Sequence, residues 1–439
     1  MKTAMSNTEW KDSSTLGEKY AILHHKSGLD IYVFPKRRSS TYALFATRYG
    51  AADNEFRLNG DAEFTRVPDG IAHFLEHKLF ENEDGSDAFE KFAATGANAN
   101  AFTSSLMTAY LFSCTENFDE SLGILLDMVT HPHFTEKSVR KEQGIIAQEI
   151  RMGEDSPSRA LYYGAIRAMY QVNHQRINVA GTVESISEIT PELLYRCYRV
   201  FYHLSNMALF VCGDVTPQQV EAVADAHLAA GEPISIERRE APEPPEVAQR
   251  RFYKEMPVAK PLFAIAVKDT PAADPHVRLR RQCVMDILNT ALFSTSAPFR
   301  EKLYEDGLIG SSLSYGYSVC SRYAYNMITG ESADPEAVLQ RYTDYTAEIS
   351  ASGIPADVFE RCRRVVYSNC VASFDDTEEI AHTLLDFVFD GEEMFEEPEV
   401  IRSITLEEIN AALRAALRAD ETVMAVVAPL GTRKGEKKE

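Results

Sequence analysis

The chain has 439 residues, 45% hydrophobic and 25% charged, with 45 Lys+Arg against 66 Asp+Glu and a formal net charge of -21. These fractions are those of a globular protein of more than one domain and exclude a fibre or a disordered tail. The acidic balance argues against nucleic-acid binding, which draws on clustered Lys and Arg; the one basic cluster, the C-terminal RKGEKKE, reads as a solvated tail.

The N-terminal MKTAMSNTEWKDSS has no apolar core and is not expected to be a secretory signal. No stretch approaches the ~18 consecutive apolar residues of a membrane span. The strand signal begins with GLDIYVFP (28–35) and STYALFATRYG (40–50), which are β-branched and aromatic. A hairpin-like polar stretch, DNEFRLNGDAEFTRVPDG, follows, and then a helix from about Gly70 with Asp69 as its N-cap. NANAFTSSLMTAYLFSC (98–114) reads as paired strands, and long helices are expected around 119–131, 136–152 and 190–202. This order predicts an α+β fold, a largely antiparallel sheet with helices packed on one face.

A repeat then shows itself. Ile189 opens ITPELLYRCYRVFYHLSNMALFVCG and Ile404 opens ITLEEINAALRAALRADETVMAVVAP, both a helical pattern running into an apolar strand. A spacing this long marks a duplicated domain, not a solenoid. The expected organisation is a metal-binding domain over 1–230, a Pro- and charge-rich, solvent-exposed linker over 231–250, and a homologous domain without metal over 251–439. The seven scattered Cys, with no CxxC pair, read as buried reduced thiols of a cytoplasmic protein.

The chemistry concentrates in His73-Phe74-Leu75-Glu76-His77. Positions i and i+4 share one helical face, so both imidazoles can reach one Zn²⁺. Glu76 projects beside them and can take a proton from water. A catalytic zinc site wants three protein ligands, so a third must lie elsewhere. In the helix TEKSVRKEQGIIAQEIRM, Val139, Glu142, Ile146 and Glu149 share one stripe, whose apolar members mark it as core-facing. A carboxylate there is costly unless paired, hydrogen-bonded or on a metal. Elsewhere the signals are bland. His131 and His133 in THPHF mark a helix end, His24 and His25 point to opposite faces of a strand, and Tyr162, Tyr163, Tyr195 and Tyr198 read as packing.

HFLEH followed by Glu142 and Glu149, with the flanks GANANAFTSSLMTAYLF, RKEQGIIAQEI, AGTVESISEIT and FYHLSNMALFVCGDV, resembles the pitrilysin/insulinase family of zinc metallopeptidases. The likeness is to its short bacterial two-domain members and to mitochondrial processing peptidases. It implies that His73, His77 and Glu149 ligate zinc and that Glu76 is the general base on the zinc-bound water. Glu142 would stand behind the ligands and orient a ligating His. Asn100, Ala101 and Phe102 match the segment that pairs with peptide by strand addition.

Two departures accompany the resemblance. The gap from His77 to Glu149 is shorter than usual, as a trimmed loop would make it. In the second half the family pattern LREKGLAY, whose Arg and Tyr hold the substrate carbonyl, is LYEDGLIG here, so Tyr304 replaces the Arg and Gly310 the Tyr. Arg300, Tyr315 and Tyr317 are the nearest possible substitutes. The function expected is therefore a zinc-dependent endopeptidase for unstructured peptides, the zinc-carrying subunit of a heterodimer with an Arg/Tyr-bearing homologue, or of a homodimer. The alternative is a non-catalytic clamp or scaffold subunit of a peptidase or processing complex.

Overall fold

The structure is a computed structural model that describes residues 8–83, 85–310, 312–416 and 421–432. The RKGEKKE tail and the first seven residues, part of the segment read for a signal, lie outside the described residues. The chain divides into two compact units that each borrow a segment from the other half of the sequence. The first comprises Met1–Ile150, Ile177–Glu240 and Ser373–Phe389; the second comprises Arg151–Arg176, Ala241–Ala372 and Asp390–Glu439.

The first unit carries strands β1 (Glu9–Ser13), β2 (Glu18–His24), β3 (Asp30–Pro35), β4 (Thr41–Thr47), β5 (Glu55–Leu58), β6 (Thr65–Arg66), β7 (Asn98–Thr103), β8 (Thr108–Cys114), β9 (Met207–Gly213) and β10 (Ile236–Arg238). Seven of them form one sheet in the order β1-β2-β3-β9-β4-β8-β7. Every pair is antiparallel except β3 with β9, and β7 is an edge strand.

Strand alternation sorts side chains between the two faces of this sheet. Ile31, Val33, Ala43, Phe45, Leu209 and Val211 enter the core beneath the helices Ile71–Lys78 and Phe118–Thr130. Their neighbours face the other way, onto the helix Thr377–Asp390. There Tyr42 meets His382, Phe210 meets Phe389, and Phe34 meets Phe374 just before that helix. A helix from the C-terminal half thus covers the second face of the first sheet.

The second unit carries β11 (Arg251–Met256), β12 (Leu262–Asp269), β13 (Leu313–Val319), β14 (Ala324–Glu331) and β15 (Thr422–Pro429), in the order β11-β15-β12-β14-β13. Only β11 with β15 is parallel. That is the pattern β3-β9-β4-β8-β7 over again, so the duplication extends to strand order and polarity. One face of this sheet is covered by Pro157–Met169, a helix of the N-terminal half, through Leu161 and Ala165 against Ala264, Ala425 and Val427.

Several local readings change. The stretch 231–250 is extended and mostly exposed, and it is also held at several points. β10 pairs with β5, Arg238 bonds the buried Asp53 at 3.0 Å, and Glu243 accepts from the amides of Gln171, Val172 and Asn173 and from Lys268. Burial pushes the Glu243 carboxyl up, but Lys268 and the three amides hold it below its ordinary value. The helix expected near Gly70 starts there, but Asp69 does not cap it: Gly70 is the N-cap, at φ 93°, and Asp69 bonds Asn54 instead. The reason is a close backbone crossing. A Cβ on Gly70 would lie 2.5 Å from the Ala180 oxygen, and one on Gly181 would lie 2.4 Å from the Asp69 oxygen. All seven Cys are buried and none is in a disulfide. Among the described residues no helix is long and apolar enough to cross a membrane.

Candidate metal centre

The helix Ile71–Lys78 is oriented by what it buries. Ile71, Ala72, Phe74 and Leu75 enter the core, which turns His73, Glu76 and His77 to one shared flank. The helix Glu136–Glu154 buries Val139, Ile146, Ala147 and Ile150, and Glu142 and Glu149 emerge beside that stripe. The two helices bring the histidines and both glutamates together.

The Nε2 atom of His73 lies 3.6 Å from one oxygen of Glu149, and Nε2 of His77 lies 3.6 Å from the other. These separations exceed the roughly 2.7–3.2 Å of an N–H···O hydrogen bond. They approach the ~3.3–3.5 Å expected between two ligands of one tetrahedral zinc, given metal–ligand bonds of about 2.0–2.2 Å. His73, His77 and Glu149 are also the only group of three or more His, Cys, Asp or Glu donors converging within 4.8 Å among the described residues. The donor set, two imidazole nitrogens and a carboxylate, therefore fits zinc.

Glu142 sits behind this set. Its Oε1 accepts from Nδ1 of His77 at 3.0 Å, which leaves Nε2 of that ring with its lone pair toward Glu149. Burial works to lower the His77 pKa, yet the Glu142 hydrogen bond and the charges of Glu76, Glu142 and Glu149 raise it overall. Glu76 is 9% exposed, and Thr103 at the end of β7 donates to its Oε2 at 2.6 Å. Burial raises the Glu76 carboxyl above its ordinary value; Thr103 and His77 pull the other way and Glu149 adds to the rise. Thr103 was not singled out in the sequence, although it directly follows Phe102 in the segment that was.

Asn100, Ala101 and Phe102 lie on β7, the strand whose Thr103 bonds Glu76. The Ala101 amide does not bond β8; it is met by the side-chain oxygen of Asn100 at 2.9 Å, so it points out of the sheet edge. A cleft of about 440 Å³ joins Glu76 and His77 to Asn100 and Ala101, walled by Phe80, Phe89 and Ile145. A larger hollow, about 900 Å³, lies by His131 and His133, but among the described residues no group of three donors converges there. His131 closes the helix Phe118–Thr130.

The second unit repeats the scaffold without the donors. Leu79-Phe80 precedes Phe89 and a helix followed by Gly96 at φ 78°; Leu292-Phe293 precedes Phe299 and a helix followed by Gly307 at φ 71°. Both Phe pairs touch, at ring separations of 4.4 and 5.6 Å. Counting back from that Phe, His73, Glu76 and His77 correspond to Asp286, Asn289 and Thr290. Of the residues considered for the missing Arg and Tyr, Tyr304 is exposed on its helix and Arg300 donates to the Leu313 carbonyl. Tyr317 is buried and donates to Asp269, which also binds Arg281; Tyr315 packs on Phe293.

Comparison with known proteins agrees with this geometry. The family model described as insulinase, peptidase family M16, matches residues 64–183, and that of the peptidase M16 inactive domain matches residues 188–366. A Bacillus subtilis protein named as the uncharacterized zinc protease YmfH is 39% identical over 418 residues, 93% of this chain and 96% of that one. The crystal structure of an M16-like peptidase from Alicyclobacillus acidocaldarius superposes with TM-score 0.89 at 34% identity, covering 97% of this chain and 99% of that one. A protease from Helicobacter pylori, at 16% identity, shares the fold with TM-score 0.80 over 94% of this chain and 100% of its own.

Proposed function

The chain belongs to the insulinase family, peptidase family M16, and from that premise we propose that it is a zinc-dependent endopeptidase acting on unstructured peptides. The observation that carries the reading is the placement of two imidazole nitrogens against the two oxygens of Glu149, with the buried Glu76 alongside. His73, His77 and Glu149 would hold the zinc, which when bound supplies Lewis acidity for attack on a carbonyl.

The remaining chemistry belongs to the chain's own groups. Glu76 takes the proton of the attacking water; its raised pKa makes it a stronger base than an exposed carboxylate. Thr103 occupies Oε2, leaving Oε1 to receive that proton and to return it to the leaving amine. Peptide would lie along the open edge of β7, where the Ala101 amide exchanges the Asn100 side chain for a substrate carbonyl. Backbone pairing of this kind selects extended, unfolded segments.

The experiment is hydrolysis of a mixed library of unstructured peptides by the zinc-loaded chain, beside Glu76→Gln. Turnover by the parent and none by the variant is the expected result; equal turnover by both would overturn the assignment. A second reading, a zinc-carrying subunit that needs an Arg/Tyr-bearing homologue, is favoured by Tyr304 and Gly310 at the two family positions and by the engagement of Tyr317 with Asp269. Mixing the chain with a family member that has the Arg and Tyr but lacks HxxEH would then raise activity. No gain on mixing would remove that reading.

A further inference from the structure

β7 combines two demands. It must offer an open edge, and it must hold Thr103 steady against Glu76. Edge strands with few neighbours open most readily, so an edge used for pairing needs support from one of its faces. Ala99 and Ala101 face the core under the His73–His77 helix, so Phe102 faces the opposite side of the sheet. On that side its ring lies 5.5 Å from His382, with the planes 30° apart.

His382 is itself anchored. Its Nε2 is 2.9 Å from the hydroxyl of Tyr42, on β4, a strand paired on both sides and buried throughout. Burial lowers the His382 pKa, and burial followed by the charge and hydrogen bond of Glu378 raises that of Tyr42, so a neutral imidazole meets an un-ionised phenol. The helix that carries His382 is clamped as well. Arg48 donates to the carbonyls of Val388 and Phe389 and stacks 4.1 Å over the Phe389 ring. A continuous set of contacts therefore runs from the centre of the sheet, through Tyr42 and His382, to Phe102 at its edge, one residue from Thr103.

We propose that His382, on the helix Thr377–Asp390 lent by the C-terminal half, is a positioning residue for β7, acting through Phe102 and anchored by Tyr42. The proposal rests on the reading above, in which β7 is the strand along which peptide is laid. His382 touches neither metal ligands nor Glu76, so its effect falls on the edge that pairs with substrate and, through Thr103, on the orientation of the base.

The test compares the full-length parent with His382→Ala, His382→Gln and Tyr42→Phe, in hydrogen exchange of the zinc-loaded proteins and in peptide cleavage. In His382→Ala the amides of Asn98–Thr103 exchange faster while those of β3 and β9 do not, zinc content is unchanged, and KM rises on the order of tenfold with a smaller fall in kcat. His382→Gln, whose amide can still bond Tyr42, restores much of the KM, and Tyr42→Phe moves both readouts in the direction of His382→Ala. Unchanged exchange at β7, or a uniform rise across the sheet with a lower Tm, would overturn the proposal and leave His382 as ordinary packing. Absence of turnover by the zinc-loaded parent would instead count against the peptidase reading, while the exchange experiment still decides on His382.

Discussion

Glu142→Gln offers the sharpest probe of the proposed site, because it changes a charge without removing any of the three proposed ligands. The carboxylate accepts from Nδ1–H of His77 at 3.0 Å and keeps the ring turned with Nε2 toward Glu149. Gln retains an acceptor oxygen but no charge, and a charge-assisted hydrogen bond is worth about 1.5–3 kcal/mol against about 1 for a neutral one. Losing such a partner behind a metal ligand typically weakens metal binding by about 10–100-fold, or about 1.4–2.7 kcal/mol. Chelator competition for zinc would measure this in parent, Glu142→Gln and, as the reference for a lost ligand, Glu149→Gln. The pH dependence has a definite sign. The carboxylates raise the His77 pKa, so in the parent protons compete with zinc from a higher pH downward. Removing the Glu142 charge lowers that pKa and delays the competition. The deficit of Glu142→Gln should therefore be largest near pH 8 and narrow toward pH 6. A change below about threefold at pH 8 would refute the role assigned to Glu142, because such partners typically change metal affinity by at least about tenfold. A deficit that widens on acidification would refute the pKa argument.

Two further substitutions test separate parts of the structure. Thr103→Val removes the donor that lowers the Glu76 pKa, so the acidic limb of kcat/KM should move to higher pH with zinc content unchanged; an unmoved limb would mean that Thr103 does not tune the base. Asp286→Asn addresses the second unit, where burial pushes the Asp286 carboxyl from its ordinary 3.8 up to about 7. The folded state then holds a proton that the unfolded chain has released, so stability falls as pH rises from about 4 to 7. A three-unit rise corresponds to about 4 kcal/mol at most, discounted to about 2–3 for partial solvent access. Asp286→Asn should raise Tm at pH 8 and change it little at pH 4, with Gln282, which donates to both carboxylate oxygens, turning its amide to suit. An equal effect at both pH values would point to packing as the cause.

The candidate donors were legible because their spacing is local. His73, Glu76 and His77 lie within five residues of one helix, and Glu142 and Glu149 lie seven apart on another. Periodicity alone places each set on a face. What the sequence withheld depends on distant backbone. Asp69 has the right side chain for a cap, but the backbone crossing at Ala180 and Gly181 forces Gly70 into the left-handed region and Asp69 onto Asn54. Likewise, the apolar stripes of Pro157–Met169 and Thr377–Asp390 announce burial without saying which sheet they bury. Only the fold shows that each lies on the sheet of the other half. β1 and β2 escaped notice for a related reason: EWKDS is largely exposed, and only the middle of EKYAILH is apolar.

The duplicated scaffold frames the question of whether the chain works alone. Its second copy has Asp286, Asn289 and Thr290 in place of the metal-site triplet, and Tyr304 and Gly310 in place of the Arg and Tyr. Asn289 is 1% exposed and bonds Asn326, and Tyr317 is committed to Asp269, so neither is poised for a reacting carbonyl. An oxyanion donor is commonly worth about 3–4 kcal/mol, so its loss would slow turnover by about 10²–10³-fold. Turnover at ordinary rates by the chain alone would then require donors within the first unit, and the outward amide of Ala101 is a main-chain donor that the edge of β7 offers. Turnover that appears only on mixing with an Arg/Tyr-bearing relative would place that stabilisation in the partner and leave this chain to supply the metal donors, the base and the edge.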